Sequence, residues 1–168
     1  VCNLSLSTES YDQALYDAMA QSGMLFIAAA GNGTSVSELG VDDDLIPSYP
    51  ASFDLDNIIS VANISYDGTL HYSSNYGALS VDLAAPGTYI LSTTPDGGYS
   101  YMTGTSMAAP MVAAAAAMVY SYDSDITLSQ VKEILLGSVT PLNSLSGKVL
   151  SGGLLNLGAA MEMAAALN

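Results

Sequence analysis

The sequence predicts an α/β fold built on a parallel sheet, and three stretches carry that prediction. Val1-Cys2-Asn3-Leu4-Ser5-Leu6 reads as an opening strand, Tyr11, Ala14, Leu15, Ala18 and Met19 share one face at helical spacing, and Met24 to Ala30 is a continuous apolar run. That run is too short for a second helix and suits a strand buried on both faces, so the three form a strand–helix–strand unit, the building block of parallel sheets. Further along, the residues after Ser106, as far as Tyr122, are apolar on every side, which predicts a buried core helix.

Taken in order, Ser7-Thr8-Glu9-Ser10 supplies cap candidates for the first helix, Ser10 and Gln13 are spaced as a capping box, and Gly23 closes the helix. The second strand runs into Gly31-Asn32-Gly33. This is a turn at the carboxyl end of a parallel strand, where open α/β sheets place their ligand sites, although Asn-Gly also marks ordinary turns. Val36 to Tyr49 is polar and acidic, with the run Asp42-Asp43-Asp44. It reads as a solvated loop or as a calcium-binding loop, since hard cations take several carboxylate and carbonyl oxygens, but the spacing is not that of an EF-hand. Pro47-Ser48-Tyr49-Pro50-Ala51 is a rigid turn before another buried strand, Asn57 to Ala62, and the turn Asp67-Gly68 precedes His71. Ser80 to Gly87 and Thr88 to Thr93 predict two strands around a Pro-Gly turn, and a short strand, Tyr99 to Met102, leads to the core helix. Later helices open at Thr127, paired with Gln130, ending near Gly137, and at Asn156, running through Met161 to Leu167. Gly147 to Gly153 between them reads as a loop. With no internal repeat or linker, residues 1–168 are expected to be one domain portion.

Only 11% of the residues are charged, against roughly 25% in an average soluble domain. A surface so short of charge predicts a piece of something larger. The start at Val1, in mid-strand and without Met, predicts truncation at the N-terminal side. Two Lys, no Arg and sixteen acidic residues give a net charge of −14, which argues against nucleic acid or an anionic membrane as partner. The only uncharged stretch long enough to span a bilayer, between Asp96 and Asp123, contains Gly97, Gly98, Gly104 and Pro110 and is mostly Ala in its helical part. It reads as a core helix rather than a membrane span. Cys2 is the sole cysteine, so no internal disulfide can form.

The stretch with chemistry in it is Gly104-Thr105-Ser106-Met107-Ala108-Ala109-Pro110. A hydroxyl stands where a buried helix begins, beside N–H groups that carry a partial positive charge, a place to activate a nucleophile. Ser is also a preferred N-cap, and helix logic alone leaves both readings open. The heptapeptide as a whole resembles the nucleophile motif of the subtilisin-like serine peptidases. Ala29-Ala30-Gly31-Asn32 is similar to the oxyanion-hole segment of that family, and Tyr49-Pro50-Ala51, Ser74-Asn75-Tyr76-Gly77 and Val81 to Gly87 are also family-like. The resemblance implies a three-layer subtilisin-like fold, of which this chain is the C-terminal part, incomplete at its N-terminal side. It implies an extracellular serine endopeptidase acting on peptides or proteins, with Ser106 as nucleophile. The side-chain amide of Asn32 and the N–H of Ser106 would hold the oxyanion. Ser5-Leu6 would be an edge strand pairing with the substrate backbone, and Ala29, Ala30 and Gly31 would line the pocket for the residue before the scissile bond. Those small residues permit a roomy pocket and at most a broad preference for large apolar side chains.

The chain also departs from the family. Ser7 stands where Gly is common, which would crowd the substrate strand, and Met111 replaces the His that commonly follows the Pro of the motif, a packing change. No Asp-Thr-Gly or His-Gly-Thr segment occurs, so the triad acid and base are not among these residues. His71, the only histidine, follows Asn32, whereas the family orders its acid and histidine before that Asn; it reads as a loop histidine. Asp82 falls in a stretch where the family has no catalytic acid. The isolated chain is therefore expected to be inactive, its partner being a preceding portion of the same domain that carries Asp and His. Two other readings stand beside the enzyme: a non-catalytic relic that binds peptides by strand addition at Ser5-Leu6, and an acidic or calcium-binding module resting on Asp42 to Asp44. No cofactor is expected apart from that calcium alternative.

Overall fold

The computed structural model describes residues 1–34, 36, 38–123 and 125–167. The opening strand is β1 (Cys2–Leu4), followed by α1 (Gln13–Ala20) and β2 (Phe26–Ala29), so the predicted strand–helix–strand unit forms. β1 pairs parallel with β2, placing Cys2 opposite Phe26, and β2 pairs parallel with β3 (Ile58–Ile64), placing Phe26 opposite Ile58. β3 in turn runs parallel to β4 (Leu83–Pro86). α1 does not start with the Ser10–Gln13 box. Its N-cap is Asp12, whose carboxylate accepts from the Leu15 N–H at 3.0 Å, while the Gln13 amide donates to Asp17 one turn on. Ser10 and Asp12 are both good caps, and tertiary packing decides between them: the rings of Tyr11 and Tyr16 meet Tyr49 and Phe53 edge-on at 5.1 and 5.3 Å.

Beyond β4 the chain leaves the sheet. β5 (Ile90–Thr93) and β6 (Tyr99–Met102) form an antiparallel hairpin of their own and deliver the chain to α2 (Thr105–Tyr122). α3 (Leu128–Gly137) and α4 (Leu157–Ala165) follow, separated by β7 (Thr140–Pro141), a single 3-10 turn at Asn143–Leu145, and β8 (Gly153–Leu154). The sheet order is β1-β2-β3-β4-β8-β7, parallel throughout except for the β7–β8 pair. These last two strands were not legible in the sequence. Each is two residues long, too short for a period, and Gly153 closes the stretch that reads as a loop. The α3 prediction holds in detail, since Thr127 and Gln130 make the reciprocal capping box, and Asn156 caps α4 through the Ala159 N–H.

β2 is apolar at every position because both faces of the sheet are covered. Leu25, Ile27 and Ala29 face the layer of α2, α3 and α4, where Val112, Val119, Val131 and Leu135 pack, while Phe26 and Ala28 meet Met19, Ala51 and Phe53 beside α1. A helix layer, a sheet and a second layer thus make three. α2 is buried less completely than its composition predicts. Ala108, Ala109, Val112, Ala115, Ala116 and Val119 are buried on the sheet side. Met111, Met118 and Tyr122, on the other side, are 37%, 45% and 49% exposed. Among the described residues, no helix is long and apolar enough to cross a membrane.

Candidate active site

The carboxyl ends of β1 and β2 and the amino end of α2 meet at one place, and Ser106 stands there. It is the second residue of α2, whose N-cap is Gly104 with no side-chain cap hydrogen bond. Ser106 is therefore not the cap of its helix. Its Oγ instead donates to the main-chain oxygen of Ser5 at 3.3 Å, just past the end of β1. In the first turn of a helix the N–H of Ser106 has no carbonyl four residues back, so it is available to an incoming oxygen atom.

Pro110 explains the second half of this contact. Lacking an N–H, it cannot bond the carbonyl of Ser106 four residues earlier. The Ser5 hydroxyl takes that oxygen at 2.7 Å. Ser5 and Ser106 thus exchange hydrogen bonds across 101 residues of sequence. β1 ends at Leu4 rather than at Leu6, and Ser5 and Leu6 lie beyond it, both exposed. The extended segment continues to Thr8, which pairs antiparallel with Tyr49 through bonds of 2.8 Å in each direction.

Asn32 is held beside Ser106 by Thr105, the residue between Gly104 and Ser106. The Thr105 N–H donates to Asn32 Oδ1 at 3.0 Å, and the buried Thr105 hydroxyl accepts from the Gly31 N–H at 3.2 Å. With its oxygen engaged, the Asn32 amide presents its NH₂ end as a donor. A Cβ on Gly104 would lie 3.3–3.4 Å from both polar atoms of that amide, so glycine here leaves the room the amide occupies. The sequence had singled out Ser106 and Asn32, but not Thr105 as the residue that ties them.

A cleft of about 540 Å³ opens beside Asn32, walled by Ser7 to Ser10, Asn32 to Thr34, Val41 and Ile46 to Ser48, with Asn75 behind. Ala29, Ala30 and Gly31 do not line it. They are buried in and just after β2, at 1% and 0% exposure for the two alanines, because the sheet is covered on both faces there.

The acidic loop is solvated in part: Asp44 to Pro47 are exposed, but Asp43 is not. Asp43 is 2% exposed and accepts from Asn75 Nδ2 at 2.9 Å, whereas its other oxygen is buried without a partner. Burial pushes its pKa up to about 8, against the Asn75 hydrogen bond and with the charges of Asp42 and Asp44 adding. Asp44 turns instead to the N–H and hydroxyl of Ser80 at 2.8 and 2.7 Å, and Asp42 accepts from the Asp44 N–H. The three carboxylates go to three separate partners, and among the described residues no three or more His, Cys, Asp or Glu side chains are placed together to hold a metal.

His71 is part of a different loop. Its Nδ1 meets the Ser73 hydroxyl at 2.9 Å and its ring lies 4.5 Å from that of Tyr72. Asp82 accepts from the Ser60 N–H at 2.7 Å and faces Lys132 at 3.8 Å; burial raises its pKa, and Lys132 and the Ser60 N–H oppose the rise. Both side chains are occupied by local structure.

The model of the subtilase family matches residues 1–152. The chain belongs to the subtilase family. As a subtilase it is 43% identical over 115 residues to "Subtilisin-like protease 2" of Plasmodium falciparum, covering 67% of this chain and 8% of that protein. It is 38% identical over 154 residues to "Subtilisin-like protease 1" of the same organism, covering 84% of this chain and 22% of the relative. Its fold is that of a cold adapted subtilisin-like serine proteinase, at a TM-score of 0.77 and 31% identity, over 91% of this chain and 53% of the other. The subtilase chain thus spans under a quarter of these two curated relatives and about half of the solved structure.

Proposed function

We propose that this subtilase chain is the nucleophile-bearing, C-terminal portion of one secreted serine endopeptidase domain, and that Ser106 attacks the scissile carbonyl of a peptide or protein substrate. The observation that carries the reading is the lock between Thr105 and Asn32 beside a Ser106 that caps nothing. As Ser106 Oγ bonds to the carbonyl carbon, its proton passes to a base, and negative charge develops on the carbonyl oxygen. The N–H of Ser106 and the NH₂ of Asn32 are the donors for that oxygen. The base then returns the proton to the leaving amine, and water releases the acyl group by the same steps. The acid and base come from residues outside these 168, since His71 and Asp82 are committed elsewhere.

Three further features support the reading. Ser5 and Leu6 are exposed past the end of β1, where an extended substrate could run alongside. The cleft next to Asn32 would take the side chain preceding the scissile bond, and its walls, mostly hydroxyl and amide groups, favour a polar or small residue over a large apolar one. The exposed apolar side of α2 is a surface that a further part of the domain would cover. Ser106→Ala in the full-length gene product is expected to abolish hydrolysis of a casein or peptide anilide substrate while leaving the fold intact. Hydrolysis that survives the substitution unchanged would overturn the assignment of Ser106, whereas a folded parent that binds peptides and hydrolyses none would favour the peptide-binding reading.

A further inference from the structure

Asn75 is fully buried at 0% exposure, in a stretch that the sequence marks only as family-like. All four hydrogen bonds open to its side chain are made, and they are sorted by chemistry. Oδ1 accepts from the Gly33 N–H at 2.8 Å and the Val41 N–H at 3.2 Å. Nδ2 donates to Asp43 Oδ1 at 2.9 Å and to the Ala30 carbonyl at 3.4 Å. A flipped amide would set NH₂ against two N–H groups and oxygen against the Ala30 carbonyl, so only one orientation is satisfied.

The main chain of Asn75 adds a bond, its N–H donating to the Gly31 carbonyl at 2.9 Å. Ala30, Gly31 and Gly33 are therefore all fastened to this one residue, and Asn32 is the link between them. Gly31 has φ of +123°, and a Cβ there would lie 2.5 Å from Asn75 Nδ2, so the turn and the buried amide are fitted to each other. Thr105 fixes the Asn32 side chain, and Asn75 fixes the backbone on either side of it through Gly31 and Gly33.

We infer that Asn75, oriented by Asp43, is a positioning residue for the oxyanion donor Asn32: it holds the Ala30–Gly33 turn so that the Asn32 amide is aimed before substrate arrives. It touches no reacting atom and acts only through Asn32. The inference rests on the peptidase reading above. Preorganised donors are worth most where the transition state carries charge, so loss of Asn75 falls on kcat rather than KM.

The test is a double-mutant cycle in the full-length gene product, reading kcat and KM on a peptide anilide for Asn32→Ala, Asn75→Ala and the pair. Asn32→Ala is expected to lower kcat about 10²–10³-fold, the usual loss for one oxyanion donor. Asn75→Ala is expected to lower kcat about 10–100-fold with KM held within about threefold, and to add less than about threefold once Asn32 is gone. A residue that only supports the fold would lower kcat equally in both backgrounds, and that result, or an unchanged kcat, overturns the inference. If Asn75→Ala does not fold, as read by circular dichroism, Asn75→Asp is compared with Asp43→Asn/Asn75→Asp. The pair restores an amide–carboxylate contact between the two positions and is expected to recover kcat at least about tenfold, and no recovery overturns the inference. A parent enzyme with no activity and no fluorophosphonate label at Ser106 removes the peptidase reading itself, whereas an active parent with additive losses removes only the role of Asn75.

Discussion

Pro110 and Ser5 show how single residues shape the site. Proline inside α2 frees one carbonyl, that carbonyl belongs to Ser106, and the Ser5 hydroxyl donates to it. The exchange fixes the start of α2 against the end of β1 with no charged group involved. Asp43 has a different consequence. Its carboxyl is held near pKa 8 in the folded protein by burial, against about 3.9 in an unfolded chain. A raised folded pKa means that the folded state binds the proton more tightly. The stabilisation is full below the unfolded pKa and is lost as pH rises through the folded one, at up to about 1.4 kcal/mol per pH unit between them. An amide in place of this carboxyl would not titrate. The stability of Asp43→Asn relative to the parent, from denaturant unfolding, is therefore expected to improve steadily from about pH 4 to about pH 8 and then level off; a difference independent of pH would refute the buried, proton-binding state of Asp43. Residue chemistry was only partly legible in the sequence. Ser106 and Asn32 could be singled out because their neighbours form a long motif. Thr105, Asn75 and Asp43 act through contacts spanning 73, 42 and 32 residues, which no local pattern encodes.

Elements with a strong period were located, α3 and α4 with their caps, whereas features fixed by tertiary contact were not. Thr127 and Gln130 announce α3 because a capping box is local chemistry, and Thr127→Ala is expected to cost about 1 kcal/mol in denaturant unfolding, with a loss below about 0.3 kcal/mol showing that the box is not formed. The start of α1 moved from Ser10 to Asp12 because two acceptors of equal merit stood close together and the Tyr11 ring packs outside the helix. β7 and β8 pair through long-range contact alone. The Asp42 to Asp44 run reads as solvated on composition, which fits the exposed Asp44 but not Asp43, buried by its contact with Asn75.

At the scale of the whole molecule, the sheet order brings together what the sequence holds apart. β1 and β2 are neighbours, and α2 crosses them so that its amino end meets the carboxyl ends of both. Parallel pairing makes this possible, since it places successive strand ends on one edge of the sheet. On the proposed reading, half of a peptidase's requirements come together there: Ser106 as nucleophile, its N–H and the Asn32 amide as oxyanion donors, and an adjoining cleft. The other half, an acid and a base, is not supplied by His71 or Asp82. The direct test is to express the full-length gene product beside this 168-residue chain, treat both with a fluorophosphonate probe, and map the label. Labelling of the longer form alone, at Ser106, is the predicted result. A longer form that carries the acid and base, folds, and takes no label at Ser106 would contradict the account.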